Sequence, residues 1–190
     1  MGNLVYHVAT TLDGFIANKN HDINGFLVDT EHLADFQKSL KNDYSCVLMG
    51  KNTYEFGFKF GLKQGEPAYT EYNLPNYVVA SDLDYKPEYG LTVISEDVVG
   101  EVKKLKQNSK KDVWLCGGGQ LAGFLLEKKL IDKIIVKQNP TIFGEGIKLF
   151  EGCHSTYQLD LEDYKSYKNS ICLLTYRVNY EKQVPDAMPS

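Results

Sequence analysis

Three consecutive glycines, Gly117 to Gly119, join the apolar run 113–116 to a stretch whose apolar residues recur with helical spacing. A glycine turn that opens a helix leaves backbone N–H groups free and has no side chain to hold a ligand away, so it can bind a phosphate group. The segment lacks the G-x-G-x-x-G pattern of dinucleotide-binding folds, and a tight turn without a ligand is the alternative. The glycines therefore indicate an anion site only if other residues support it.

Three other segments carry polar groups directly after short apolar runs. Residues 51–53 (Lys-Asn-Thr) supply an ammonium, an amide and a hydroxyl, all of which donate hydrogen bonds to phosphates. Residues 81–82 (Ser-Asp) and 13–14 (Asp-Gly) follow two further runs. Each segment has an ordinary alternative, because a solvated lysine, a strand terminator and a turn pair would give the same pattern.

The apolar pattern predicts strands that alternate with helices. Strands are expected at 4–10, 45–49, 77–80, 91–94, 113–116 and 131–137. Helices are expected at 51–57, 97–107 and 121–129, and after a cap at Asp29 or Thr30, where Leu33, Phe36 and Leu40 recur at helical spacing. Segments 12–28 and 61–75 are expected to be irregular, and 155–164 and 170–180 to form a closing antiparallel hairpin.

This alternation is typical of parallel strands joined by right-handed crossovers. We therefore predict one α/β domain over residues 1–182, with a mostly parallel mixed sheet, the antiparallel hairpin at one edge and helices on both faces. A flexible tail is expected at 183–190. Ligands of such sheets bind beyond the carboxyl ends of the strands, where all four polar segments lie. Together they indicate a ligand with several phosphates, such as a dinucleotide.

Composition narrows the function classes. The 190 residues carry a formal net charge of −4 with scattered basic residues, so we expect neither a nucleic acid nor an anionic membrane as partner. No apolar run reaches the length of a membrane span and the first residues lack a signal-peptide pattern, which favours a cytoplasmic protein. The cysteines at 46, 116, 153 and 172 form no C-x-x-C pair, so we expect reduced thiols and no metal site.

Several stretches resemble a known family. They are TLDGFIA (11–17), VLMGKNTYE (47–55), VVASD (78–82), CGGGQLAGFLLEKKLID (116–132) and PTIFGEGIKLF (140–150). In order and spacing they resemble the dihydrofolate reductase-like superfamily, and most closely the branch with the C-terminal reductase domain of bacterial riboflavin-biosynthesis proteins. The last two stretches are the most specific, and the similarity spans residues 4–150.

The resemblance implies a dihydrofolate reductase-like fold that uses NADPH, with NADH as the alternative. It implies a nicotinamide pocket at Val8, Ala9 and Ile16, phosphate contacts from Lys51, Asn52 and Thr53, an adenosine site at Ser81 and Asp82, and a pyrophosphate site at Cys116, Gly117, Gly118, Gly119, Gln120 and Leu121. It also implies a cis peptide bond between Gly117 and Gly118.

Two positions depart from the family pattern. Dihydrofolate reductases carry a carboxylate in the first turn of the helix that follows the first loop, and here His32 occupies that position while Glu31 points elsewhere. Dihydrofolate itself is therefore not the expected substrate. Asp82 would repel a 2′-phosphate that faced it, which leaves Lys51 to distinguish NADPH from NADH.

The sequence thus predicts a reductase that transfers hydride to a small heterocycle, pterin- or pyrimidine-like, or to a conjugated imine or carbonyl. Phe15, Phe36 and Tyr54 are expected to contact the substrate, with Asp13 and His32 as polar or catalytic groups. A surface or capping role is the alternative for His32. The H-x-E…P-C-x-x-C signature of zinc deaminases is absent from the sequence.

Two other functions stay open: a nucleotide-binding module without turnover, and a structural homodimer subunit with an empty pocket. A homodimer is expected in any case. The C-terminal strands carry tyrosines predicted to be exposed, Tyr164, Tyr167, Tyr176 and Tyr180, and the resemblance implies pairing through this part of the sheet.

Overall fold

The computed structural model describes residues 1–181, so the predicted tail at 183–190 lies outside the described residues. Its strands are β1 (Leu4–Thr11), β2 (Phe15–Asn18), β3 (Tyr44–Gly50), β4 (Asn76–Val79), β5 (Leu91–Ile94), β6 (Asp112–Gly117), β7 (Lys133–Asn139), β8 (Gly146–Lys148), β9 (Gln158–Ser166) and β10 (Cys172–Asn179). Its helices are α1 (Thr30–Asn42), α2 (Lys51–Phe56), α3 (Val98–Asn108) and α4 (Gly119–Glu127). Every predicted helix and strand is present, with ends shifted by at most a few residues.

Eight strands form one sheet in the order β5-β4-β3-β6-β1-β7-β10-β9. The pairs from β5 across to β7 are parallel, whereas β10 is antiparallel to both β7 and β9. The predicted mixed sheet with an antiparallel C-terminal hairpin is confirmed. Because the parallel strands run the same way, the ends of β1, β3, β4 and β6 meet at one edge of the sheet.

Each face of the sheet carries its own apolar core. On one face Leu48, Leu115 and Ile134 pack with residues of α3 and α4, including Val102 and Leu125. On the other face the core includes Trp114 and Met49, which pack with α1 and α2. The helices therefore cover both faces, as predicted, because strand side chains alternate between the two faces.

A small second sheet was not predicted, and one of its strands, β2, lies within the segment 12–28 that was predicted to be irregular. β2 pairs with β8 in antiparallel fashion, with Phe15 opposite Lys148 and Asn18 opposite Gly146. Neither strand has a local pattern strong enough to predict it, since each has four residues or fewer and finds its partner more than a hundred positions away.

The buried stripe of α1 differs from the predicted one. Leu33 is 44% exposed, whereas His32 and Leu40 are buried. His32, Phe36 and Leu40 are four residues apart and so share one face of the helix. Asp29 caps α1 as predicted: its side chain accepts hydrogen bonds from the amides of Glu31 and His32, both at 3.0 Å.

The exposure of the C-terminal tyrosines differs in part from the prediction. Of the four tyrosines predicted to be exposed, Tyr164 is 68% exposed but Tyr167 is buried at 5%, and Tyr180 is half-buried with its hydroxyl donating to the Ile131 carbonyl. Tyr167 turns inward because its hydroxyl donates to Asp35 of α1.

Within residues 1–181, no helix is long and apolar enough to cross a membrane.

Candidate active site

A cleft of about 1010 Å³ opens at the edge where the parallel strands end. It extends from Val8 and Ile16 at one end, past the glycine turn after β6, to Ser81 at the end of β4. Twelve of the predicted dinucleotide contacts line it: Val8, Ile16, Lys51, Asn52, Thr53, Ser81, Cys116, Gly117, Gly118, Gly119, Gln120 and Leu121. The fold therefore brings three of the four polar segments together at the strand ends, as predicted, whereas the fourth, residues 13–14, does not line the cleft.

The glycine turn packs beside α2, and its backbone conformation, more than the space around it, favours glycine. Gly118 has a φ of +100°, a conformation that side-chain-bearing residues rarely adopt, and a Cβ there would lie 3.4 Å from Thr53 Oγ1. Gly118 also precedes the first turn of α4, where no side chain caps the helix amides. A ligand can thus approach free N–H groups directly at this point.

The peptide bond between Gly117 and Gly118 is trans, since no cis peptide occurs among the described residues. The predicted cis bond is therefore wrong, and the positive φ of Gly118 makes the turn with trans geometry. Gly119 serves packing: its carbonyl accepts from the Glu151 amide at 3.0 Å, and a Cβ on it would collide with the Lys148 carbonyl.

Two residues predicted to contact the dinucleotide lie outside the cleft wall. Ala9 follows Val8 on β1, and successive strand residues point to opposite faces, so Val8 lines the cleft and Ala9 does not. Asp82 lies just beyond the wall, 77% exposed, with its carboxylate 3.8 Å from the ammonium of Lys51. The carboxylate of Asp84 is 3.7 Å from the same ammonium.

A cluster of aromatic rings lies under α1 on the face of the sheet that also carries Trp114. The ring of Phe36 meets His7 edge-on at 5.0 Å and Trp114 at 5.4 Å. His32 lies nearly parallel to Phe36, with 6.4 Å between ring centres, and meets Tyr167 edge-on. We call His7, His32, Phe36, Trp114 and Tyr167 the aromatic cluster.

His32 Nε2 is buried and has no hydrogen-bond partner among the described residues. Burial lowers the pKa of His32, and the nearby ammonium of Lys137 lowers it further. The imidazole is therefore mainly uncharged at neutral pH, so its ring nitrogens can donate one hydrogen bond and accept another. A permanently protonated His32 does not fit this environment.

Three predicted contacts have other tasks. Tyr54 is buried at 1% in the core, where its hydroxyl donates to the Glu66 carbonyl, so it cannot form a wall of the cleft. Phe15 is half-buried outside the cleft at the start of β2. Asp13 is exposed and accepts hydrogen bonds from the amides of Phe143 and Gly144, which joins two turns. The Thr11 hydroxyl and these amides lower the pKa of Asp13, so it stays a carboxylate and is unsuited to donating a proton.

Several cleft residues were not predicted. Phe56 forms an aromatic part of the wall, and Asn18, His21, Ile23 and Ile147 line the cleft on the side of β2 and β8. No sequence signal could have found the last group, since β2 and β8 were not predicted. Within residues 1–181, no three His, Cys, Asp or Glu side chains are grouped to hold a metal ion.

The profile of the RibD C-terminal domain matches residues 3–173 of the sequence. The chain belongs to the RibD C-terminal domain family. The chain is similar to the uncharacterized protein YyaP of Bacillus subtilis, with 26% identity over 183 residues that cover 93% of this chain and 95% of YyaP.

Solved structures share the fold. A putative riboflavin biosynthesis protein from Shewanella sp. PV-4 has a TM-score of 0.74 at 23% identity, over 94% of this chain and 99% of that one. Dihydrofolate reductase from Enterococcus faecalis, solved with NADP(H), has a TM-score of 0.66 at 19% identity, over 94% of this chain and 97% of that one. The predicted dihydrofolate reductase-like fold and its RibD branch are confirmed.

Proposed function

We propose that this RibD-family chain is a reductase that binds a reduced nicotinamide dinucleotide in the cleft and reduces a small pterin- or pyrimidine-like, or otherwise conjugated, acceptor. The observation that carries the proposal is the glycine turn. Gly118 precedes the first turn of α4 and lies beside Thr53, within a cleft that reaches from Val8 to Ser81. NADPH is the donor that the family resemblance favours, and NADH carries the same nicotinamide and pyrophosphate.

The residues present fit such a dinucleotide. Gly118 and the free amides at the start of α4 would hold the pyrophosphate, with the Thr53 hydroxyl as a further donor. Val8 and Ile16 offer an apolar surface for the nicotinamide ring, and Ser81 lies at the adenosine end. The bound dinucleotide would supply the hydride, while the protein would orient donor and acceptor and exclude water.

His32 and Phe36 lie outside the cleft wall, and His32 is the proposed polar contact of an acceptor that would reach from the cleft under α1. A buried ring nitrogen without a partner costs about 1–3 kcal/mol, and a bound N–H, O–H or carbonyl group would remove that cost. Phe36 would supply apolar surface beside it. The lowered pKa of His32 suits hydrogen bonding to an uncharged heterocycle better than permanent donation of a proton.

A nucleotide-binding module without turnover is the second candidate function. It is favoured by the carboxylates of α1, which are already paired: Lys165 of β9 lies 2.8 Å from Glu31 and 2.7 Å from Asp35. Neither carboxylate is therefore free to replace the acid that dihydrofolate reductases carry at the position of His32.

Hydride transfer decides between the two functions. Purified protein would be mixed with NADPH or NADH and a panel of pterins, pyrimidines and conjugated carbonyls, and loss of the reduced nicotinamide followed by absorbance. Turnover that is lost in Gly118→Val supports the reductase. Tight dinucleotide binding without oxidation by any acceptor supports the module. If neither dinucleotide changes the melting temperature, neither binds, and the remaining hypothesis is a structural homodimer subunit with an empty pocket.

We also propose a homodimer that pairs through the hairpin face. The register of β9 and β10 sets Leu161 opposite Tyr176 and Tyr164 opposite Leu174, so these side chains share a face. Leu161 is 55% and Tyr164 68% exposed. Leu159, Leu174 and Tyr176 of the same hairpin line a groove on the protein surface. Exposed apolar side chains grouped on one face are typical of a protein interface.

A further inference from the structure

The ammonium of Lys51 is shared between two carboxylates at the adenosine end of the cleft. Its Nζ lies 3.8 Å from Asp82 Oδ1 and 3.7 Å from Asp84 Oδ2. The Ser81 hydroxyl donates to the same Oδ1 of Asp82 at 3.2 Å. Lys51 and Ser81 both line the cleft, so this group of four side chains borders the place where an adenosine ribose would lie.

The charge of this group is negative overall, because one ammonium faces two carboxylates. The second lysine in the described cleft wall, Lys19, does not change this balance, since it pairs with Glu145 at 2.7 Å. Both lysines of the described cleft wall are thus already paired with carboxylates.

The two dinucleotides differ at the ribose 2′ position. NADPH carries a phosphate there, with a charge of about −1.5 to −2 at neutral pH, whereas NADH carries a hydroxyl. A phosphate would have to approach Lys51 beside both carboxylates, which repel it. A hydroxyl can donate a hydrogen bond to a carboxylate, as the ribose hydroxyl does to an acidic residue in NAD-binding folds.

We propose that Asp82 and Asp84 select NADH over NADPH in this chain. The inference rests on the proposed dinucleotide cleft and names the donor it takes. Both carboxylates are well exposed, at 77% and 86%, so solvent weakens the repulsion and the discrimination is modest. At contact distance one like-charge pair in water changes affinity about fivefold, and added salt reduces the effect.

The test measures dissociation constants of NADH and NADPH by titration calorimetry, at low and at high salt. The proteins are the wild-type chain, Asp82→Asn, Asp84→Asn, the double variant, and Asp163→Asn as control. Asp163 is an exposed aspartate on β9, at the opposite edge of the sheet from the cleft end described here. Melting temperatures confirm that each variant is folded.

In the wild type we expect NADPH to bind at least about fivefold more weakly than NADH at low salt, with a smaller ratio at high salt. The double variant should favour NADPH, because Lys51 is then free to pair with the phosphate, and Asp163→Asn should match the wild type. Tighter binding of NADPH than of NADH by the wild type would overturn the inferred selectivity, and so would a ratio of the two dissociation constants that is the same in the double variant. Neither result would contradict the dinucleotide cleft. Failure of both dinucleotides to bind would overturn the dinucleotide cleft as well.

Discussion

The imidazole of His7 and the hydroxyl of Tyr44 share a buried hydrogen bond of 2.8 Å between Nδ1 and the phenolic oxygen. Burial, with a smaller contribution from the neighbouring His32, lowers the pKa of His7 to about 3. His7 is therefore uncharged at neutral pH in the folded protein and acts as a packed, hydrogen-bonded member of the aromatic cluster. It was not predicted to have a role from the sequence, because its position on β1 gives no sign of its partner.

The pair predicts how stability depends on pH. Between pH 6.5, the ordinary pKa of histidine, and the folded-state value of about 3, the unfolded chain binds a proton that folded His7 does not. The free energy of unfolding should therefore fall as the pH drops below 6.5, by up to about 1.4 kcal/mol per pH unit from this residue.

Urea unfolding at neutral pH and near pH 5 measures that slope. The variant His7→Leu/Tyr44→Phe removes both partners, so no polar group is left buried alone, and its slope should be smaller by about 1 kcal/mol per pH unit. Tyr44→Phe is the control that keeps the histidine. Equal slopes in the wild type and the double variant would show that His7 does not titrate as described.

Gly118→Val should abolish dinucleotide binding in a protein that still folds. The added side chain enters the space beside Thr53 and forces a residue with φ +100°, a strain of about 1–3 kcal/mol. Gly61→Val is a matched control, since Gly61 has a φ of +94° but a Cβ there meets nothing within 4 Å. Calorimetric titration checks binding, and unchanged affinity in Gly118→Val would mean that the glycines serve only the turn.

Lys51→Ala should weaken NADPH by at least about threefold more than NADH. Loss of the ammonium leaves Asp82 and Asp84 to act on the 2′-phosphate without a counter-charge, whereas a ribose hydroxyl carries no charge to repel. Lys38→Ala, on the exposed side of α1, is the control for loss of a lysine. If Lys51→Ala weakens the binding of both dinucleotides equally, Lys51 does not distinguish NADPH from NADH.

Gly123→Ala should destabilise the protein, although alanine is normally the better helix former by about 1 kcal/mol. Gly123 lies inside α4, and a Cβ there would collide with the Glu151 carbonyl. We expect a loss of about 1–3 kcal/mol in the free energy of unfolding, as is usual for overpacking. A variant as stable as the wild type, measured by urea unfolding, would show that the segment around Glu151 can move away from α4 at little cost.

Leu161→Asp should convert the proposed homodimer into a monomer. An aspartate at this 55% exposed position would place a charge in the apolar contact on the hairpin face. Phe60→Asp, at a 69% exposed position elsewhere, is the control. Light scattering after size-exclusion chromatography gives the mass of each variant; a wild type that is already monomeric would contradict the proposal.

Much of the architecture could be predicted because it depends on local patterns. Short β-branched runs and helical spacing indicate the alternation of strands and helices, and alternation requires parallel strands whose ends share an edge. For that reason residues 51–53, 81–82 and 117–119, far apart in sequence, could be expected in one cleft, and the structure places all of them there except Asp82, which lies at its border.

The remaining features depend on contacts between distant parts of the chain. β2 pairs with β8, and the buried side of α1 carries His32 instead of Leu33. Tyr54 is buried in the core. All three features result from contacts between residues that are far apart in the sequence. The sequence by itself determined the glycine turn, the strand ends and so the place of the cleft. Only the tertiary structure decided which side chains face it and that Lys51 meets two carboxylates, because side-chain direction and charge pairing follow from how the elements pack.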